Sequence, residues 1–364
     1  MGERERTEIV ASDALEDAAG GLLEAAGLAP ADAHFVAGTL VEADLRGHHS
    51  HGVNQLPDYL GLIGRGAVRA RPAIERVSRA GGHALIDGGM GLGQLAAREG
   101  MKLAIELARE CGVAAVAVRR SSHFGAGAYW VQMASRQGMI GFATSNEAAV
   151  AVAPFGGAEP ALGNLPFAWA IPAGGAPDIV LDLATGVVAD GKLSLARLFG
   201  EAIPSSWGVD SAGRPAADPA ALHALLPFGG PKGYAINILC DALCGPLSGS
   251  EGSTILASDP EVKGVLSNHF FLAIDVRAFT PLESFVAAVS RQARALRETR
   301  PVEGVERVRL PGERAWLTRK ERLQYGIPMP RSILARLAEA AASLGFEARW
   351  ARDWADLEGQ SSGR

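Results

Sequence analysis

The strongest constraint on the fold lies between residues 83 and 144, where short strand-like runs and longer helical stretches take turns. The runs 83–87, 113–118 and 139–144 are short and mostly apolar and read as strands, the first closed by glycines. The stretches between them, 95–111 and 126–136, have the length and apolar spacing of amphipathic helices. Strands separated by helices of this length put helices against a sheet, so the middle of the chain is expected to be α/β. Further strands are predicted at 179–183 and 269–276, and further helices at 192–199, 219–226, 233–244 and 282–297.

Both ends are helical in character. Residues 11–42 read as two helices broken at Gly27-Leu28-Ala29-Pro30, and a third helix is predicted near 56–63. The stretches 317–324 and 332–344 return to the same pattern, so the two termini are expected to share one lobe. The predicted organisation is a helical lobe over 1–80, an α/β unit over 81–315, helices over 316–350 that rejoin the first lobe, and a polar tail over 351–364.

A chain of 364 residues exceeds one ordinary core, so two or three packed lobes are expected. With 48% hydrophobic and 21% charged residues it is a globular chain, neither disordered nor fibrous. The net charge of −5 and the scattered Lys and Arg residues argue against a nucleic-acid partner. Three cysteines cannot form a fully paired framework, and Cys240 and Cys244 stand one turn apart in an apolar helix, so buried free thiols are expected. The start, Met1-Gly2-Glu3-Arg4-Glu5-Arg6, is charged with no apolar region behind it, unlike a secretory signal. No apolar run approaches the roughly 18 residues of a membrane helix, and a cytoplasmic protein without membrane partners is expected.

Four short segments carry candidate chemistry. Gly89-Met90-Gly91-Leu92-Gly93 stands between a strand and a helix, as a dinucleotide fingerprint does. Its spacing is wrong, however, and no acidic strand end follows about 20 residues on, so a tight turn explains it as well. His48, His49 and His51 fall within four residues, but no nearby Cys or carboxylate pair completes a metal site, so no metal is assigned. Acid/base work is the other possibility, since imidazole titrates at about 6.5 and can hand a proton to a carbonyl oxygen. In Ser50-His51-Gly52 the hydroxyl can orient a ring or a substrate, while a solvated turn histidine stays open as the plain alternative. Ser121-Ser122-His123-Phe124-Gly125 lies at the carboxyl end of a predicted strand, where α/β sheets place their ligands. Gly229-Gly230-Pro231-Lys232-Gly233 puts a lysine at the start of an apolar helix, suited to a phosphate or to a simple surface cap.

Together these segments resemble the malate/L-sulfolactate/ureidoglycolate dehydrogenase family, the type 2 malate/lactate dehydrogenases. The resemblance includes Asp44-Leu45-Arg46-Gly47 with Ser50-His51-Gly52-Val53, Ser122-His123-Phe124-Gly125, Gly163-Asn164-Leu165-Pro166, Leu181-Asp182-Leu183-Ala184-Thr185, Gly230-Pro231-Lys232-Gly233-Tyr234 and Pro311-Gly312-Glu313. These segments occur in family order from about 8 to 345, and His223-Ala224-Leu225-Leu226-Pro227 is most similar to the ureidoglycolate branch. The resemblance implies a mixed α/β, non-Rossmann nicotinamide-binding domain flanked by a helical lobe from both termini, in a homodimer that takes NAD or NADP. It demotes the turn 89–93 to structure. It makes His51 the proton donor and acceptor toward the substrate and His123 a second acid/base or orienting group. It places Arg46 and Tyr59 near the substrate, with Ser50 and Gln55 beside them. Ser145, Asn146, Asp182, Leu183, Ala184, Pro231, Lys232, Gly312 and Glu313 fall at cofactor-contacting positions.

One departure concerns specificity. Many relatives carry an arginine four residues after the histidine of Ser-His-Gly, able to grip a carboxylate; this chain has Gln55. The expected reaction is hydride transfer at C2 of a small 2-hydroxy or 2-oxo acid. The alternatives are reduction of a cyclic imine acid or of a substrate without the carboxylate, and a non-catalytic nicotinamide-binding protein.

Overall fold

The computed structural model describes residues 6–174, 177–188, 193, 196 and 200–359. In chain order, β1 (Thr7–Val10), α1 (Ser12–Ala25), α2 (Pro30–Leu45) and α3 (Leu56–Gly64) come first. They are followed by β2 (Glu75–Ala80), β3 (His83–Asp87), α4 (Gly93–Cys111), β4 (Val113–Ser121), α5 (Gly127–Ser135), β5 (Met139–Glu147), β6 (Pro166–Ile171) and β7 (Ile179–Ala184). Next come β8 (Gly208–Val209), β9 (Ala224–Leu225), α6 (Pro231–Cys244), α7 (Ser253–Leu256) and β10 (Ser267–Asp275). The chain closes with α8 (Leu282–Arg297), α9 (Glu313–Tyr325), β11 (Ile327–Pro330), α10 (Arg331–Ser343) and α11 (Arg349–Gly359).

The expected α/β middle is a seven-stranded mixed sheet in the order β2-β3-β4-β10-β5-β6-β7. Its one parallel pair, β3 with β4, is joined by the crossover helix α4; the other neighbours are antiparallel. Helices α4 and α5 cover one face, where Met101, Ala104 and Val131 meet Val116, Val118 and Phe271. On the other face α6 covers β4, β10 and β5. A second core joins the two ends of the chain: Leu15, Leu22, Leu40 and Leu56 pack with Ile327, Leu334 and Leu337, and β1 pairs with β11 from Thr7 against Pro330. Among the described residues no helix is long and apolar enough to cross a membrane.

Two local expectations fail. The predicted helix at 219–226 is a turn followed by β9, because Asp218 Oδ1 accepts the Ala220 N–H and Leu225 then pairs with the backbone of Ala151 and Ala153. Pairing with a distant segment overrides the local helical pattern there. The predicted polar tail begins instead with α11, because Trp350, Trp354 and Leu357 make an apolar stripe at helical spacing that packs on the terminal core. The two indoles lie 4.7 Å apart. Residues 360–364 lie outside the described residues, as does the helix predicted at 192–199 apart from Leu193 and Ala196, which are buried.

Candidate active site

The turn after α2 is held from below by Asp44, a carboxylate with no exposed surface. Its Oδ2 accepts the Val53 N–H at 2.8 Å, and its Oδ1 lies 2.6 Å from His49 Nδ1. Desolvation raises the Asp44 pKa, opposed chiefly by the His49 hydrogen bond. Arg322 on α9 donates to the Asp44 carbonyl and to His49 Nε2 at 3.1 Å. With Nε2 accepting, the His49 proton sits on Nδ1 and points at Asp44, so this histidine braces the turn. Gly52 is squeezed against the same carboxylate: a Cβ there would come within 2.1 Å of Asp44 Oδ1. Among the described residues no three His, Cys, Asp or Glu side chains are placed to hold a metal ion.

On this support the two short 3₁₀ turns His49–His51 and Val53–Gln55 present the candidate residues. Ser50 Oγ lies 3.0 Å from His51 Nδ1, and Gln55 Nε2 donates to the Ser50 carbonyl at 2.7 Å. The Gln55 amide therefore reinforces the turn that carries His51. The ring of His51 faces that of His123, with centroids 5.7 Å apart.

His123 comes from the segment after β4. The glycine run 89–93 positions it: the Gly93 N–H donates to Ser122 Oγ, which donates in turn to the Gly91 carbonyl. A Cβ on Gly93 would lie 2.0 Å from the Ser122 carbonyl oxygen, so only glycine lets α4 start this close to the histidine segment. His123 Nδ1 is 2.6 Å from the Tyr59 hydroxyl, which accepts a hydrogen bond from Gln94 Nε2 at 3.1 Å. Burial, with the nearby His51 ring, pulls the His123 pKa down to about 3.

Two further groups interact electrostatically with His51. Asp182 on β7 accepts the Ala128 N–H at 2.8 Å. Its side chain keeps solvent access, yet protein packs densely around the carboxyl, and that desolvation raises its pKa against the pull of Ala128, His51 and Arg46. His48 is likewise open at its edge and crowded at its ring; desolvation first, then His51, Arg314, Arg46 and His49, lower it to about 4. Arg46 is only 7% exposed, and its guanidinium is held by Glu42 Oε1 and Gln132 Oε1, both at 2.7 Å. A cavity of about 540 Å³ adjoins it, lined by Arg46, Gln132, Val180, Gly312, Trp316 and Arg319; it does not reach His51 or His123.

The candidate residues thus fall into several separate groups. The rings of His51 and Tyr59 each approach that of His123, Asp182 lies in electrostatic reach of His51, and Ser50 and Gln55 belong to the turn that carries His51. Gly312 and Glu313 sit at the start of α9, where Glu313 Oε2 accepts from Leu310 N and Arg297 Nε. Desolvation acts to raise the Glu313 pKa, but these bonds and the Arg297 charge outweigh it and hold it low. Pro231 and Lys232 open α6 on the exposed surface, and Leu183 exposes 46% of its surface beside Ala184. Ser145 and Asn146 are spent within the protein: Ser145 Oγ meets His269 Nδ1 at 2.9 Å, and Asn146 Nδ2 donates to Asp241 Oδ1 and the Glu251 carbonyl. Gln94, Arg322 and His269 escaped the sequence analysis, and Asp44 and His49, though inside segments it singled out, were given no role there. Of the first three only Gln94 carried a signal, as a polar residue among Leu95, Ala96 and Ala97 on the buried side of α4.

Residues 10–338 match the model of the malate/L-lactate dehydrogenase family. The chain belongs to this family. A malate dehydrogenase from Pyrococcus abyssi is 39% identical over 87% of this chain and 89% of its own length. A (2R)-3-sulfolactate dehydrogenase (NADP(+)) from Chromohalobacter salexigens is 36% identical over 88% and 94%, and the ureidoglycolate dehydrogenase (NAD(+)) of Escherichia coli K12 35% over 89% and 93%. Among solved structures, malate dehydrogenase from Pyrococcus horikoshii OT3 superposes with a TM-score of 0.85 at 35% identity, covering 96% of this chain and 99% of that one. The delta1-piperideine-2-carboxylate reductase of Pseudomonas syringae gives 0.82 at 30% identity, covering 92% and 100%.

Proposed function

We propose that this dehydrogenase-family chain transfers a hydride between NAD(P) and C2 of a small 2-hydroxy or 2-oxo acid, with His51 exchanging the proton. The observation that carries this is the facing pair His51 and His123, with the Asp182 carboxylate in electrostatic reach of His51. The chain's own residues fit a nicotinamide dinucleotide. Lys232 has no ion-pair partner among the described residues and stands in the first turn of α6, where helix N–H groups favour a phosphate. Leu183 offers exposed apolar surface next to Asp182. When bound, the nicotinamide supplies the hydride in reduction and takes it in oxidation. In reduction, His51 gives a proton to the substrate oxygen as C2 gains the hydride, converting C=O to CH–OH; oxidation reverses both transfers. Ser50 Oγ at His51 Nδ1 orients the ring for this exchange.

Replacing His51 by Ala is expected to cut kcat by about 10²- to 10⁴-fold while the cofactor still binds, read from NAD(P)H absorbance and from fluorescence titration. Unchanged kcat would sink the assignment. A second substrate class, imines or ketones without the usual carboxylate, is favoured by Gln55, whose amide is turned to the Ser50 carbonyl and brings no positive charge. A panel of 2-oxo acids, neutral ketones and cyclic imines at fixed cofactor separates the two, and a clear preference for 2-oxo acids removes the imine alternative.

We further propose that the enzyme is a homodimer. Ala235, Ile238, Leu239 and Ala242 lie exposed along one face of α6, and Leu247 and Ile255 are exposed nearby, apolar surface that a second copy would cover. A cytoplasmic location suits its three free thiols, of which Cys111 is exposed.

A further inference from the structure

His123 reaches Tyr59, and Tyr59 reaches Gln94; the direction of these two hydrogen bonds decides what His123 can do. An amide nitrogen only donates, so at 3.1 Å Gln94 Nε2 gives a hydrogen to the Tyr59 oxygen. The phenol then has its single proton left for His123 Nδ1, 2.6 Å away. A neutral imidazole that accepts at Nδ1 carries its proton at Nε2. Among the described residues nothing bonds to His123 Nε2.

Gln94 is fully buried, and its Oε1 has no hydrogen-bond partner. Turning the amide over would present Oε1 to Tyr59 and leave both amide hydrogens unmet, whereas in the observed orientation one of them is met by the phenol oxygen; an unmet buried N–H is less tolerated than an unmet carbonyl oxygen. The side chain is thus held in the orientation that donates to the phenol.

We propose that Gln94 is a positioning residue for the reaction: through Tyr59 it fixes His123 as the tautomer protonated at Nε2, so that this ring meets the substrate oxygen as a hydrogen-bond donor. The proposal rests on the function assigned above and divides the labour between the two histidines. Were His123 itself to deliver the Nε2 proton, Nδ1 would have to take the phenol proton and leave a phenolate buried against a neutral amide. Burial raises the Tyr59 pKa and opposes that, so the exchanged proton falls to His51. His123 stays neutral across the working pH range, since burial has brought it to about 3.

The test is the tautomer itself. In long-range ¹H–¹⁵N spectra of histidine-labelled enzyme at neutral pH, His123 Nδ1 is expected to appear as a bare acceptor and Nε2 as protonated. In Gln94→Met, and independently in Tyr59→Phe, the two nitrogens should move toward averaged values. In both variants kcat/KM for the 2-oxo acid should fall by about tenfold or more, with the cofactor Kd from fluorescence titration unchanged. A proton on Nδ1 in the unchanged enzyme overturns the proposal, as does an unaltered tautomer in both variants. The spectra require no turnover, so this failure is distinct from an enzyme that turns over no 2-oxo acid, which would overturn the assigned function instead.

Discussion

At the scale of single residues, the active turn depends on a buried charge. Asp44 has no exposed surface and is tolerable only because the Val53 N–H and the His49 ring meet it. Gly52 passes so close that a methyl group would overlap Asp44 Oδ1 at 2.1 Å. Gly52→Ala must push the turn off the carboxylate. The expected outcome is a loss of about 1–3 kcal/mol in stability and, because a shift near 1 Å spoils reacting geometry, roughly a 10²-fold fall in kcat. Thermal melts and steady-state kinetics on the same preparation check both. The sequence made His51 legible because Ser-His-Gly packs a hydroxyl, an imidazole and a small residue into one triplet. It hid the role of His49, since the residue that fixes its proton, Arg322, lies 273 positions away.

At the scale of elements, α9 holds the histidine turn to the C-terminal half. Its residues 314, 318 and 322 follow one another at four-residue spacing: Thr318 Cγ2 stands 3.4 Å from where a Gly47 Cβ would be, and Arg322 bonds the Asp44 carbonyl and His49. Arg319, one residue round the helix, pairs with Glu42 at 2.8 Å. Arg322→Ala is expected to lower stability by about 1.5–3 kcal/mol, the usual worth of hydrogen bonds from a charged group, and to reduce kcat with little change in cofactor Kd. Urea titration with a parallel cofactor titration decides it; a weakened Kd with intact kcat would show that α9 serves the cofactor alone. The sequence revealed α4, α5 and β3 to β5 because apolar periodicity is a local property. It concealed β1, β9 and β11, which exist only through partners: β1 pairs with β11 more than 300 residues on, and β9 with β8 and the backbone of Ala151 and Ala153. The candidate site shared the same limit. Its histidines stood in recognisable triplets, whereas Tyr59 and Gln94 reach His123 only after α3 and α4 have packed.

At the scale of the whole molecule, histidine rings held neutral by burial contribute to the response to acid, His269 and His123 most strongly. His269, without exposed surface, lies between Ser121 Oγ and Ser145 Oγ, and burial holds its pKa near 3, like that of His123. Each folded-state value is below the unfolded value of about 6.5, so the stabilisation is complete above that pH and is lost as pH falls from there toward 3. From pH 7 to pH 5 the His269 ring alone is expected to remove about 2 kcal/mol, and His123 acts in the same direction. Urea unfolding at the two pH values measures the slope, and His269→Gln should flatten it. Association adds to this stability if the exposed face of α6 is covered by a second copy. Ile238 and Leu239 are 46% and 53% exposed, and the same helix lies over a sheet face bearing Phe142, Phe167, Trp169 and Phe270. A charge placed on that face cannot be desolvated against its symmetry-related copy without large loss. Leu239→Asp is therefore expected to shift the protein from dimer to monomer in sedimentation velocity at micromolar concentration, with the circular dichroism of the folded chain retained. A protein that sediments as a monomer without the substitution, or as a dimer with it, would place the subunit contact elsewhere or remove it.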